Sequence, residues 1–168
     1  MRQYASLPIF AEDLGIITPD VREIMCRYRL PGMRLLLFAF GQDFPKGAFL
    51  PHNHVKHCFI YTGTHDNNTA RGWFENEAAE EEKKRLFRYV GHQIAAEEVA
   101  WEMIRLAQMS VANTAIIPMQ DLLALGGEAR MNDPSKTDGN WHWRLDEDPI
   151  TPKLIRRLRE MTETYGRI

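Results

Sequence analysis

HCFIYTGTHDNN, residues 57–68, decides the fold. His57 to Tyr61 is an apolar run too short for a helix, and it passes directly into a loop dense in hydrogen-bonding side chains, Thr62 to Asn68. Upstream, MRLLLFAF at 33–40 is a second, nearly continuous apolar run, the pattern of a strand buried on both faces. Leu7 to Phe10 precedes it and Thr114 to Pro118 follows, which makes four strand-like runs in all.

Helical patterns fill the intervals. Thr18, Pro19 and Asp20 supply an N-cap, a first-turn proline and an early acid, Val21, Met25 and Tyr28 an apolar stripe, and Leu30 to Gly32 a stop. Helices are predicted over Glu75 to Tyr89, and over Ala95 to Ala107 with Val99, Met103 and Leu106 on one face. A short helix, Gln120 to Leu125, ends at Gly126 and Gly127. Thr151 and Pro152 open a last one, whose apolar face is Leu154, Ile155, Leu158 and Met161.

Strands alternating with helices predict an α/β fold with parallel strands. Polar residues collect after the first, third and fourth strands, where a TIM (β/α)8 barrel keeps its chemistry. About four βα units fit the chain, whereas eight need ~250 residues, so the expectation is half a barrel in one partial domain over residues 1–168.

Composition narrows the partners. With 44% hydrophobic and 26% charged residues the chain is of the soluble globular type. Its 21 basic and 23 acidic side chains nearly cancel, giving no electrostatic case for nucleic acid or anionic lipid. No apolar stretch approaches the ~20 residues of a membrane span, and MRQYASLPIFAEDLG does not read as a signal peptide. Cys26 and Cys58, in apolar settings without CxxC spacing, read as reduced, buried thiols, which places the protein in the cytoplasm.

Four segments could carry chemistry. In AEDLG, Glu12 and Asp13 follow a strand; neighbours on extended backbone point to opposite sides, so one carboxylate faces the strand-end cleft and the other is structural. By position alone, both could equally serve a helix N-terminus or an arginine. His65 and Asp66 lie in TGTHDNN, where the rival reading is capping of the next helix by Asn67, Asn68 or Thr69. PHNHVKH offers His52, His54 and His57, but the first two precede a strand, and no carboxylate or cysteine sits at ligand spacing; hydrogen bonding fits better than metal. Asn132, Trp141 and Trp143 stand in the long loop Ala129 to Arg144; amides and aromatic faces suit sugar rings, while Trp143 reads as a packing anchor.

Taken together, LPIFAEDLGIITPDV (7–21), LPGMRLLLFAF (30–40), YTGTHDNNTARGW (61–73), QDLLALGGEARMN (120–132) and NWHWR (140–144) resemble the 4-α-glucanotransferases of the amylomaltase or disproportionating-enzyme family. The resemblance implies an elaborated TIM barrel without an organic cofactor. Such an enzyme transfers α-1,4-glucan segments from a maltooligosaccharide donor to glucose or a maltooligosaccharide acceptor, with retention, through a covalent intermediate. It puts the acid/base on Glu12, a transition-state-stabilising carboxylate on Asp66, a hydroxyl contact on His65, and Asn132 and Phe40 near the glucan. Glu12 must start protonated, with burial or neighbouring carboxylates raising its proton affinity.

The family's nucleophilic Asp has no counterpart in this sequence and is expected before Met1. The isolated chain is therefore expected to be inactive or nearly so, and an open half-barrel to self-associate through its edges. Two rival functions are a non-catalytic glucan-binding or complementing module, and a metal-dependent hydrolase using His52, His54 and His65.

Overall fold

The computed structural model describes residues 9–167. Three parallel strands, β1 (Gly32–Leu35), β2 (Cys58–Tyr61) and β3 (Thr114–Ile116), form one sheet in chain order, with Gly32 opposite Cys58 and Tyr61 opposite Ile116. α1 (Pro19–Tyr28) precedes β1. α2 (Ala70–Asn76), α3 (Glu80–Val90) and α4 (Ala96–Met109) lie between β2 and β3, and α5 (Met119–Leu122) and α6 (Pro152–Thr164) follow. The parallel α/β expectation holds.

The expected first strand does not appear among the described residues. Leu7 and Pro8 lie outside them, and Ile9 and Phe10 are irregular, with Ala11 N–H donating to Pro31 O at 2.9 Å. The run 33–40 is not one strand either. β1 ends at Leu35, and Leu36–Phe38 winds into a 3-10 turn, so Leu36, Leu37 and Phe40 enter the core while Phe38 turns outward.

The core lies where α2, α3 and α4 cover the sheet. α4 contributes more to it than any other element: Val99, Met103 and Leu106, the expected stripe, are at most 1% exposed, and Trp101 and Ile104 are buried as well. Glu75 to Tyr89 divides into two helices rather than one. α2 stops at Asn76 and α3 starts afresh, its Glu82 carboxylate accepting from Ala79 N–H at 2.9 Å, half of a capping box.

Two expected burials are incomplete. α1 buries none of its residues, so Cys26 is exposed; only Cys58 is a buried thiol, pushed up in pKa by burial. α6 turns the expected face inward only in part, with Leu154, Leu158 and Met161 half-buried and Ile155 exposed. It is also held by cations: Arg157 stacks on Trp101 at 4.1 Å and pairs with Glu98, and beyond the helix Arg167 donates to the Ala107, Gln108 and Ser110 carbonyls that end α4.

The loop between β1 and β2 is folded onto the core by its histidines. His54 is buried; its Nε2 donates to Phe49 O (2.9 Å), leaving Nδ1 to accept from the Ser110 hydroxyl (2.7 Å). Burial lowers its pKa to about 4. An unfolded histidine titrates near ~6.5, so protons bind the unfolded chain first, and stability present above ~6.5 is lost as pH falls toward 4. His54→Gln should flatten that slope by an amount on the order of 2–3 kcal/mol, read from urea unfolding between pH 7 and pH 4. A parallel pH dependence in both proteins would exclude His54 as the cause.

Candidate active site

The acidic pair divides as expected, one carboxylate buried and one exposed. Asp13 is buried and structural: its Oδ1 accepts from Met33 N–H at 2.6 Å and its Oδ2 pairs with Arg34 at 3.3 Å, tying the pair to the start of β1. Glu12 faces the other way, exposed, into a cleft of about 700 Å³ that it shares with Phe38, Tyr61, His65 and Asp66. That volume suits a small ligand. Burial around Glu12, one route to a protonated carboxyl, is not supplied by the described residues.

The second half of the cleft is the loop after β2. Thr69 is the helix cap, its hydroxyl accepting from Gly72 N–H at 2.9 Å. That frees Asn67 and Asn68 for other tasks. Asn67 Oδ1 accepts from both the amide (3.0 Å) and the hydroxyl (2.7 Å) of Thr64, which tightens the loop. Its tip presents His65 and Asp66, with side chains 57% and 48% exposed and His65 Nε2 standing 3.3 Å from Asp66 Oδ1. Tyr61 adds a hydroxyl that burial pushes up in pKa, so it stays a neutral donor.

The long loop after α5 closes onto this tip. Asn132 donates from Nδ2 to Asp66 Oδ1 at 2.6 Å and from its backbone N–H to His65 O at 3.0 Å. Arg130 binds three groups at once: Glu77 Oε1 (3.0 Å), Asp66 O (3.0 Å) and Asn132 O (2.9 Å). Trp141, 53% exposed and at φ 64°, lays its ring 5.2 Å from that of His65 while its backbone N–H donates to Met131 O at 2.7 Å. An exposed indole on a left-handed residue is the kind of strain that packing must hold in place. Trp143 is only half-buried, not a core anchor.

Sequence reasoning thus brings Glu12, His65, Asp66 and Asn132 into one neighbourhood but misplaces the aromatic. Phe40 is 0% exposed and packs edge-on to Tyr89 at 6.0 Å, with no surface to offer a ligand. Phe38 lines the cleft instead, at 44% exposure, because the strand ends at Leu35 and the 3-10 turn breaks the period of two that would put Phe38 and Phe40 on one face. Arg130, Glu77 and Tyr61 went unnoticed; only the cluster of charge in GGEARMND hinted at the first.

The histidines of PHNHVKH have protein partners. His52 contacts the Tyr89 hydroxyl and Pro45 O, and His57 the Arg29 carbonyl. Among the described residues no three His, Cys, Asp or Glu side chains stand close enough to share a metal ion. No helix among them is long and apolar enough to cross a membrane.

Behind the loop, packing is tight. A Cβ on Gly72 would overlap Asn68 Oδ1 and stand 2.8 Å from the Gly127 Cα, so the start of α2 and the segment before Arg130 touch backbone to backbone. Asn68 sits in that contact and donates to Glu77 Oε1 at 2.9 Å, the same oxygen that holds Arg130.

The profile of one sequence family, described as 4-α-glucanotransferase, matches residues 1–150. The chain belongs to that family. The 4-α-glucanotransferase of Thermus thermophilus is 44% identical over 98% of the chain, but the match takes in 34% of that protein. The chloroplastic/amyloplastic enzyme of Solanum tuberosum is 43% identical, with 100% of this chain and 29% of the plant protein covered. Among solved structures, the amylomaltase of Streptococcus agalactiae in complex with acarbose superposes with a TM-score of 0.88 at 34% identity, over 95% of this chain and 32% of that one. An amylomaltase from Corynebacterium glutamicum, at 16% identity and a TM-score of 0.60, supports the fold alone. The chain spans about a third of the length of these 4-α-glucanotransferases.

Proposed function

We propose that these residues form the acid/base and stabilising part of a 4-α-glucanotransferase site that moves α-1,4-glucan segments between maltooligosaccharides by retaining double displacement. One observation carries the reading: in a chain of this family, two separate loops bring Glu12 and the His65–Asp66 pair to the same cleft.

In this reading Glu12 protonates the departing glycosidic oxygen and then takes the proton from the acceptor hydroxyl. The Asp66 carboxylate, aimed by Asn132 and Arg130, holds ring hydroxyls of a distorted sugar and offsets the positive charge that develops on it. His65 and Asn132 supply further hydroxyl contacts. A retaining reaction also needs a carboxylate ~5 to 5.5 Å from the acid, to attack the anomeric carbon. No residue here matches the family's nucleophile, so the rest of the enzyme supplies it, the three strands belong to a larger TIM barrel, and the isolated chain is inactive. The setting is cytoplasmic, in keeping with two free cysteines.

The test is to feed maltotriose to the full-length coding product that contains these residues, and separately to the 168-residue chain. Glucose together with longer chains is expected only from the former, and saturable acarbose binding without glucose release from the latter. Formation of glucose alone, with no longer chains, would make the enzyme a hydrolase and overturn the reading.

The isolated chain should also self-associate. β1 and β3 are both edges of the described sheet, and Ile9, Phe10 and Ile116 expose 51%, 42% and 37% of their surface. Sedimentation at micromolar concentration should show a dimer or larger; a compact monomer would count against it.

A further inference from the structure

The loop that carries Asp66 is clipped at both ends by one buried carboxylate. Asp121, on α5, is 1% exposed, and its two oxygens bond donors from opposite sides of the loop. Oδ2 accepts from the hydroxyl of Thr62, the residue that follows β2, at 2.5 Å. Oδ1 accepts from the N–H of Ala70, the first residue of α2, at 2.8 Å. Thr62 is itself 0% exposed. The chain therefore leaves the strand at Asp121, makes the turn that displays His65 and Asp66, and returns to Asp121 to begin the helix.

A carboxylate in this place is costly. Burial disfavours its charged form and raises its pKa, and an apolar side chain of similar size would fill the space without that penalty. What the carboxylate provides, and an apolar group cannot, is a fixed separation between the two loop ends. Above the clip the loop is closed by Thr64–Asn67 and Thr69–Gly72 hydrogen bonds, and Arg130 grips Asp66 O from outside. Few soft joints remain between Asp121 and the Asp66 carboxylate.

We infer that Asp121 is a positioning residue for the transfer reaction, fixing through Thr62 and the start of α2 where the Asp66 carboxylate stands relative to Glu12. The inference rests on the role given to Asp66 above. It concerns geometry rather than contact, since Asp121 is sealed from the cleft.

The test compares Thr62→Val, which removes the hydroxyl and frees one side of the clip, with Thr62→Ser, which restores it. Both are made in the full-length coding product, with Asp66→Asn as control, and kcat, KM for maltotriose and Tm are measured. Thr62→Val should lower kcat roughly tenfold with KM within about twofold, less than the ~100-fold that an ångström of misplacement can cost, and Thr62→Ser should restore most of it. If Thr62→Val lowers only Tm, with kcat per folded molecule unchanged while Asp66→Asn is inactive, the clip is merely structural and the inference fails. A fully active Asp66→Asn would instead overturn the role of Asp66 itself. Should Thr62→Val not fold, Thr62→Ala, which removes the same hydroxyl without setting a methyl against the Asp121 carboxylate, decides: lowered kcat at constant KM supports the inference, and unchanged kcat defeats it.

Discussion

In the full-length coding product, Glu12→Gln is expected to lower maltotriose disproportionation by about 10²- to 10⁴-fold, the usual weight of a general acid/base. Gln matches Glu in shape and Glu12 is exposed in the cleft, so the fold should tolerate the exchange. What disappears is the exchangeable proton. The leaving alkoxide must then depart unprotonated and the acceptor hydroxyl attack without a base. A maltosyl fluoride donor separates these steps, because fluoride leaves without protonation. With it, the variant's first step should recover while transfer to an acceptor stays slow. Unchanged product yield from maltotriose, or equal losses with both donors, would remove Glu12 from the acid/base role.

Asp66→Asn should cost about 10²- to 10³-fold in kcat, comparable to losing one electrostatic contact to a transition state. The amide oxygen can still accept from Asn132 Nδ2, so the interloop contact at 2.6 Å survives in kind and only the charge is lost. KM should move little, since the charge matters most where the sugar carries positive character. A variant with raised KM and unaltered kcat would recast Asp66 as a ground-state binding group.

Secondary structure was legible where one face of an element met a core. The α4 stripe could be read directly, because Val99, Met103 and Leu106 repeat at helical spacing and all three pack inward. The run 33–40 misled because continuous apolarity says only that a segment is buried. A 3-10 turn buries Leu36 and Leu37 as thoroughly as a strand, yet it rotates Phe38 rather than Phe40 toward the cleft. The α6 stripe was legible in part: Leu154, Leu158 and Met161 turn inward but are only half-buried, and Ile155 is exposed.

Within the site, Glu12, His65, Asp66 and Asn132 were legible as family motifs, and the split between Glu12 and Asp13 was legible as a pair of neighbours that take opposite sides, although the segment is not a strand. Arg130, Glu77 and Asp121 were not. Their contacts join residues 64, 53 and 51 positions apart, to Asp66, Glu77 and Ala70, and no local pattern reports such distances.

The contact of Gly72 with Gly127 and Asn68 bears on how such a site could be redesigned. With backbone against backbone there is no slack to absorb a neighbour of different shape. Loop grafting between relatives would then have to move residues 62–77 and 118–133 together, as a single cassette. A graft of either alone would inherit a mismatched seam beneath the residues that meet the sugar, however well its outward-facing side chains were chosen.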